Sequence, residues 1–338
     1  MIEVGRGEVV RALSLALERR RPLIEQLRAA PADARTDAYR LLHRAADGLD
    51  WLAVDRYGDY GLVHLFVELE GPALEKLQAR VLEALAPLEL AGVYRIQHPR
   101  QKNELASAPV EQLAPPAPIA GQRAPAPLLI HEAGLCLETQ LGAGLRTGIF
   151  LDQRDNRARI SALSKDKRVL NLFAYSGGFS LAALAGGASE AISVDVSQRA
   201  LKLARANVER LGASDRHRVW KDDVFEVLAR QQRRGERFDV IVLDPPSYAT
   251  TRGRRFQVSR DYAELCAQCM AVLSAGGQLL CCVNHHGMAQ RRLRGEIRAA
   301  AERAGRSIAG MSDLLPPLDF PAACEAEPLA KSVLVMLD

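Results

Sequence analysis

From Val169 to Asp338 the chain alternates short β-type runs with amphipathic helical ones, and few architectures accept that pattern. Strand signals fall at 169–173, 191–194, 217–220, 238–243, 277–283 and 332–337, with helical runs at 180–184, 197–211, 224–232, 260–273 and 290–304. Strands joined by helices pair in parallel, because each helix returns the chain to the end of the sheet where strands begin. The expected class is therefore α/β, with helices on both faces of the sheet and ligands held where the strands end.

The first half reads differently. Val9, Val10, Leu13 and Leu17 have helical spacing, followed by a break near Pro31 and a second apolar run through Tyr39, Leu41 and Leu42. Residues 1–45 are thus expected to form a basic helical extension. Residues 46–105 predict a small α+β domain, with strands either side of a turn at Tyr57-Gly58-Asp59, a helix over 73–85 and a strand over 92–97. Six prolines among alanines mark 106–127 as a semi-rigid linker, which leaves 128–338 for the α/β domain.

Of the 338 residues 48% are hydrophobic, enough to bury two cores. No run approaches a membrane helix in length, and the first residues lack a signal-peptide layout, so a cytoplasmic location is expected. The six cysteines, Cys136, Cys266, Cys269, Cys281, Cys282 and Cys324, read as reduced thiols. Cys266 and Cys269 have the spacing of a metal knuckle, but no second pair answers them, and no metal site is expected. Net charge is only +4, yet arginines are bunched at 19–21, at 252–255 with Arg260 beyond, and at 291, 292, 294 and 298. Bunching of this kind suits a polyanionic partner, with a solvated basic surface as the alternative.

Chemistry concentrates where the predicted strands end. The first runs into Ala174-Tyr175-Ser176-Gly177-Gly178, a glycine turn that brings backbone close to a ligand but lacks the Gly-x-Gly-x-x-Gly of a pyrophosphate cradle. The second ends at Asp195, placed to take both hydroxyls of a ribose. The third ends in Asp222-Asp223-Val224-Phe225, suited to an adenine amino group and ring, or to a plain helix cap. The fourth ends in Asp244-Pro245-Pro246-Ser247-Tyr248, where prolines stiffen the turn, leave carbonyls facing outward and present an aromatic ring for stacking.

Residues from about 40 to 338 resemble the bacterial 23S rRNA methyltransferases that make 5-methylcytosine, and their relatives that make 7-methylguanine. The strings that carry the likeness are Ala46–Leu49 with Val54–Asp59, Arg146–Arg157, Phe173–Ser180 and Asp244–Tyr248. The resemblance implies a Rossmann-like class I methyltransferase with a mostly parallel seven-stranded sheet and S-adenosylmethionine as cofactor. It implies a cofactor pocket from Phe150, Gln153, Arg157, Phe173, Tyr175, Ser176, Gly177, Asp195, Asp223, Val224 and Asp244, with Asp244, Pro245 and Pro246 facing the target base. A cationic sulfonium suits carboxylates and aromatic walls.

Two departures limit the likeness. The cytosine enzymes begin with an RNA-binding barrel, which residues 1–40 do not resemble. Their nucleophilic cysteine would fall on Asn284, while Cys281 and Cys282 come earlier, inside the strand. Methylating cytosine C5 needs a thiolate to add first, whereas a guanine N7 lone pair does not. Asn284 and Cys282 both stay candidates, as do His285 and His286 for base or RNA contact. The resulting reading is an RNA methyltransferase acting on a nucleobase of 23S rRNA, with Tyr248, Arg252, Arg254, Arg255, Arg291 and Arg292 on the RNA side. A homodimer is left open. A small-molecule or protein methyltransferase, or a catalytically silent RNA partner, are the rivals.

Overall fold

The computed structural model describes residues 6–98, 108–251, 254–285, 287–323 and 327–338, with backbone alone at 6, 33, 250, 251 and 254. Arg252, His286 and Cys324 lie outside the described residues. The chain divides into two compact units, Met1–Leu151 with Leu318–Ala326, and Asp152–Pro317 with Glu327–Asp338.

In the first unit, α1 (Arg6–Ala29) buries Val9, Ala12, Leu13 and Ala16, so of the apolar residues read from the sequence Val9 and Leu13 are buried, Leu17 is half-buried and Val10 is exposed. The second expected helix is instead a strand, β1 (Ala38–His43). Its pairing with β2 (Leu52–Tyr57) shifts register between Arg40 and Leu42, and Tyr39, Leu41 and Leu42 all join one core cluster. That bulge breaks the period of two, so the strand mimics a helical spacing. The unit continues with β3 (Tyr60–Leu65), α2 (Gly71–Leu85), β4 (Gly92–Gln97), α3 (Val110–Leu113) and β5 (Ala120–Gly121), in sheet order β1-β2-β3-β4-β5.

The proline-rich stretch is not a free linker. Leu113 and Ala114 are buried, and β5 pairs with β4. A Cβ on Gly92 would lie 2.1 Å from the Gln122 carbonyl oxygen, so this close approach requires glycine. The hairpin β6 (Leu128–Glu132) and β7 (Leu135–Thr139) also belongs to the first unit, so the division falls after Leu151 rather than before residue 128. The Asp37 carboxylate accepts from the His131 backbone N–H at 2.7 Å, which ties the hairpin to the chain just before β1. Leu318–Ala326 returns to this unit through Asp319, whose carboxylate accepts from the Arg40 backbone N–H at 2.9 Å. Arg20, the centre of the first arginine bunch, is buried and paired with Asp47 at 2.7 Å, which removes it from any surface patch.

The second unit starts with α4 (Arg154–Leu163), which the sequence reading lacked, then β8 (Arg168–Leu172), α5 (Gly178–Ala185), β9 (Glu190–Asp195), α6 (Gln198–Arg210), β10 (His217–Lys221), α7 (Val224–Arg233) and β11 (Phe238–Leu243). A hairpin follows, β12 (Tyr248–Thr251) with β13 (Arg254–Gln257), then α8 (Val258–Ala271), β14 (Leu273–Asn284), α9 (Gln290–Ala304), β15 (Ile308–Leu314) and β16 (Ala330–Leu337). The sheet has seven strands in the order β10-β9-β8-β11-β14-β16-β15, as expected mostly parallel, with β16 antiparallel to both neighbours. The order reverses at β8, so the β8 and β11 ends flank the crevice where such sheets bind ligands. β15 escaped the sequence reading because its burial does not alternate.

Candidate active site

The β8 turn is held in a demanding backbone. Phe173 and Tyr175 have φ of +56° and +49°, and Gly177 has +74°. Non-glycine residues occupy this left-handed region at a cost, which packing around the turn must offset. At Gly177 a Cβ would also lie 2.6 Å from the Ala204 Cβ, so glycine is required twice over. The turn locks onto Asp195 at the β9 end. Tyr175 N–H donates to Asp195 Oδ2 at 2.9 Å and Ser197 N–H to Oδ1 at 2.8 Å. Each oxygen keeps a lone pair to accept from a ligand hydroxyl. Ser176 is buried, its carbonyl accepting from Asn207 Nδ2 at 3.2 Å.

Beneath this turn runs a buried polar chain that the sequence reading missed. Asn171 Nδ2 donates to Ser180 Oγ at 3.0 Å, Ser180 and Ser193 hydroxyls meet at 2.7 Å, and Ser193 Oγ meets His217 Nε2 at 2.9 Å. It crosses β8, α5, β9 and β10. Burial, then Arg205 and Arg218, lowers the His217 pKa to about 4, so its imidazole is neutral near pH 7. Polar residues at inward positions of otherwise apolar strands were the available signal.

At the β10 end Asp223 caps α7, its Oδ1 accepting from Phe225 N–H at 2.9 Å. Val224 and Phe225 are buried in the core cluster. The β12–β13 hairpin is anchored there as well, because the Phe256 ring packs on Phe225 and Phe173 with centroids 5.9 and 6.2 Å apart.

The β11 end carries a carboxyl group with a displaced pKa. Burial, and next the charge of Asp152, push the Asp244 pKa up to about 7, while Arg157 opposes the rise. A carboxyl group displaced in this direction is one whose ionised form a neighbouring cation would favour. Arg157 is buried against the glycine turn, its Cδ 3.3 Å from where a Gly178 Cβ would stand. Ser247 Oγ donates to the Asn284 carbonyl at 2.6 Å, tying the proline turn to the end of β14. Pro245 is buried and Pro246 exposed. The Tyr248 ring is 57% exposed and meets the His285 ring edge-on at 6.1 Å.

Cys282 lies beside this centre, fully buried. Its Sγ donates toward Gln153 Oε1 at 3.8 Å and accepts from Ser332 Oγ at 3.5 Å. Asn156 Nδ2 bridges Gln153 Oε1 and Ser332 Oγ at 2.6 and 2.9 Å. Burial and the nearby Asp244 raise its thiol pKa well above the usual range, so it is a neutral thiol. Asp152, Asn156 and Ser332 were not singled out from the sequence. Cys281 and Cys266 approach to 3.8 Å within the core, and Cys269 is buried too. Among the described residues no cluster of three His, Cys, Asp or Glu side chains is arranged to hold a metal.

Phe150, in the first unit, is half-exposed. Of the basic residues, Arg255 and Arg291 are exposed, and Arg254 falls in β13. Arg292 is committed within the fold, donating to the carbonyls of Ser259 at 2.5 Å and Gly287 at 3.2 Å. No described helix is long and apolar enough to cross a membrane.

Residues 39–334 match the family model described as S-adenosylmethionine-dependent methyltransferase. A relative, ribosomal RNA large subunit methyltransferase I of Escherichia coli strain K12, is 35% identical over 289 residues, 84% of this chain and 70% of the relative. A crystal structure of a protein assigned as a methyltransferase, complexed with SAH, aligns with TM-score 0.84 at 25% identity, covering 99% of this chain and 83% of its own. A protein from Streptococcus mutans assigned as a SAM-dependent methyltransferase gives TM-score 0.80 at 26% identity, covering 99% of this chain and 82% of its own.

Proposed function

The chain belongs to the S-adenosylmethionine-dependent methyltransferase family and uses that molecule as its methyl donor; on that premise we propose that it methylates a nucleobase of large-subunit rRNA in the cytoplasm, at guanine N7 rather than cytosine C5. The Escherichia coli relative named for large-subunit rRNA supports the substrate class.

S-adenosylmethionine supplies an electrophilic methyl group on a sulfonium. Asp195, held by two backbone N–H groups, accepts the ribose hydroxyls. Asp223 and the α7 start take the adenine, with Phe173 and Tyr175 along the turn. Asp244 and Asp152 face the positive charge, which also favours the ionised form of Asp244. Pro245 and Pro246 hold the turn rigid and offer carbonyls to the edge of an everted base. The exposed Tyr248 ring gives that base a stacking surface, and Arg255 and Arg291 meet flanking phosphates.

The observation that carries the choice of atom is the state of Cys282. A thiol this buried, beside two carboxylates, cannot supply the thiolate that C5 chemistry needs. A ring nitrogen lone pair attacks directly, and alignment in a dry site provides the rate. Labelled cofactor and unmodified rRNA should yield 7-methylguanosine by mass spectrometry, at similar rates for the wild type and Cys282→Ser. A 5-methylcytidine product lost in Cys282→Ser would overturn the assignment.

A further inference from the structure

Helix α9 carries its charges on two flanks. Leu293, Ile297, Ala300 and Ala301 are buried. With about 100° between successive residues, Arg291, Arg294 and Arg298 fall along one side of that stripe, and Arg292, Glu296 and Arg303 along the other. Part of the second flank is committed, since Arg292 holds Ser259 and Gly287 and lies 3.4 Å from Glu296. The first flank borders an open groove of about 470 Å³, lined by Arg294, Arg298, Glu302, Arg306 and the Ile308–Met311 stretch of β15.

Two of the groove arginines are pinned in place. Arg294 pairs with Asp313 at 2.8 Å, and Arg306 donates to the Met270 and Leu273 carbonyls at 2.9 Å each. Arg291 and Arg298 are exposed. The acidic groups facing this side are Glu302, Asp313, Glu327, which accepts from the Gln290 backbone N–H at 2.8 Å, and the chain end at Asp338, whose O is 3.5 Å from Arg306. Along the half that runs from Arg291 to Arg298, about 10 Å at 1.5 Å per residue, the three arginines outnumber Asp313 and Glu327, and the exposed Arg291 and Arg298 stand at its two ends. β15 is the last strand of the sheet order, and its open edge carries neither lysine nor proline, the usual means of keeping such an edge unoccupied.

We infer that the α9–β15 groove is a phosphate track for the RNA strand flanking the target nucleotide, an inference that rests on the rRNA reading above. α9 begins just after the β14 end at Asn284, so the Arg291 end of the track lies at the catalytic face. From there it descends along the sheet edge. A strand leaving the pocket can follow it, its phosphates meeting Arg291, Arg294 and Arg298 in turn. Such contacts fix position without reading sequence, and they weaken with salt.

The test uses the full chain, an rRNA fragment with long flanks, and a short oligonucleotide around the same target. Arg298→Glu should raise KM for the long fragment at least fivefold and lower the slope of log affinity against log salt by about 1. Its S-adenosylmethionine Kd and its turnover of the short oligonucleotide should stay within twofold. Arg298→Ala should show the same change in smaller degree, and Arg303→Glu, on the other flank, much less. An unchanged KM and slope in Arg298→Glu, with wild type still methylating RNA, overturns the track and leaves the rRNA reading standing. An equal loss in Arg303→Glu overturns it as well, since bulk charge would then be the cause. A doubling of mass in solution that Arg298→Glu abolishes would assign the groove to a second copy instead. Wild type that neither binds nor methylates RNA removes the rRNA reading first and the track with it.

Discussion

Two aspartates, Asp55 buried in the first unit and Asp244 half-buried in the second, have pKa values displaced in opposite directions. Asp55 in β2 is gripped by Arg40 at 2.7 and 2.8 Å and by His64 at 3.0 Å. Burial alone would raise its pKa, but Arg40 and His64 outweigh that and hold it well below the usual carboxylate range. Asp244 at the β11 end has a second carboxylate, Asp152, for a neighbour, and its pKa is pushed up to about 7. Asp55 thus has cationic partners within its own unit that favour its ionised form. Asp244 instead has a carboxylate as its strongest charged neighbour, so a cation bound beside it would favour its ionised form. The two sites differ in the sign of the nearest charge, a guanidinium that favours ionisation at Asp55 and a carboxylate that opposes it at Asp244.

The largest expected effect comes from breaking the paired side. Asp55→Ala removes the carboxylate that Arg40 and His64 both hold and should lower unfolding free energy by about 3–5 kcal/mol in urea titrations. A loss below about 1 kcal/mol would mean that Asp55 is not what neutralises Arg40. Because the folded pKa is depressed, this stabilisation is present above the ordinary aspartate range and should fade as pH falls through and below about 4.

Asp244→Asn should act in reverse. A raised folded pKa means that ionisation costs the fold stability as pH climbs from about 4 to about 7. The amide should therefore raise thermal stability at pH 8, by at most about 4 kcal/mol, and leave it little changed at pH 4. Methyl transfer should fall by about 100-fold or more. A variant destabilised at pH 8 would refute the account of Asp244 given above.

The cofactor should sense the same group. If ionised Asp244 receives the cation, S-adenosylmethionine should bind roughly tenfold more tightly at pH 8 than at pH 6, with proton release in calorimetry. Asp244→Asn should flatten that dependence, and a flat profile in wild type would place the charge recognition elsewhere. The smallest effect belongs to the polar chain under the β8 turn. Ser193→Ala leaves His217 Nε2 unpaired and should cost about 1–2 kcal/mol, read from denaturant midpoints. A neutral result would imply that His217 finds another partner.

The pattern from Val169 onward was enough to predict the parallel sheet, and the turn at 174–178, Asp195, Asp223 and Asp244 could be placed at its strand ends. Periods of 2 and 3.6 residues are local properties, and so are glycines and acids at element boundaries. What failed were readings in which local spacing met a remote partner. Tyr39, Leu41 and Leu42 looked helical until a bulge against β2 turned them to one core. The proline-rich stretch looked free until β5 found β4. Arg20 looked like surface charge but is buried against Asp47, and Arg292, though exposed, donates to the carbonyls of Ser259 in α8 and of Gly287.

What the sequence determined by itself is the order of elements and the residue types at the ends of the parallel strands. Which of those groups is neutral, charged, committed or available was decided by the tertiary structure. Cys282 meets Gln153 across 129 residues, and Arg20 meets Asp319 across 299. Burial and the sign of the nearest charge set a group's protonation and reach, and neither exists until distant segments pack together.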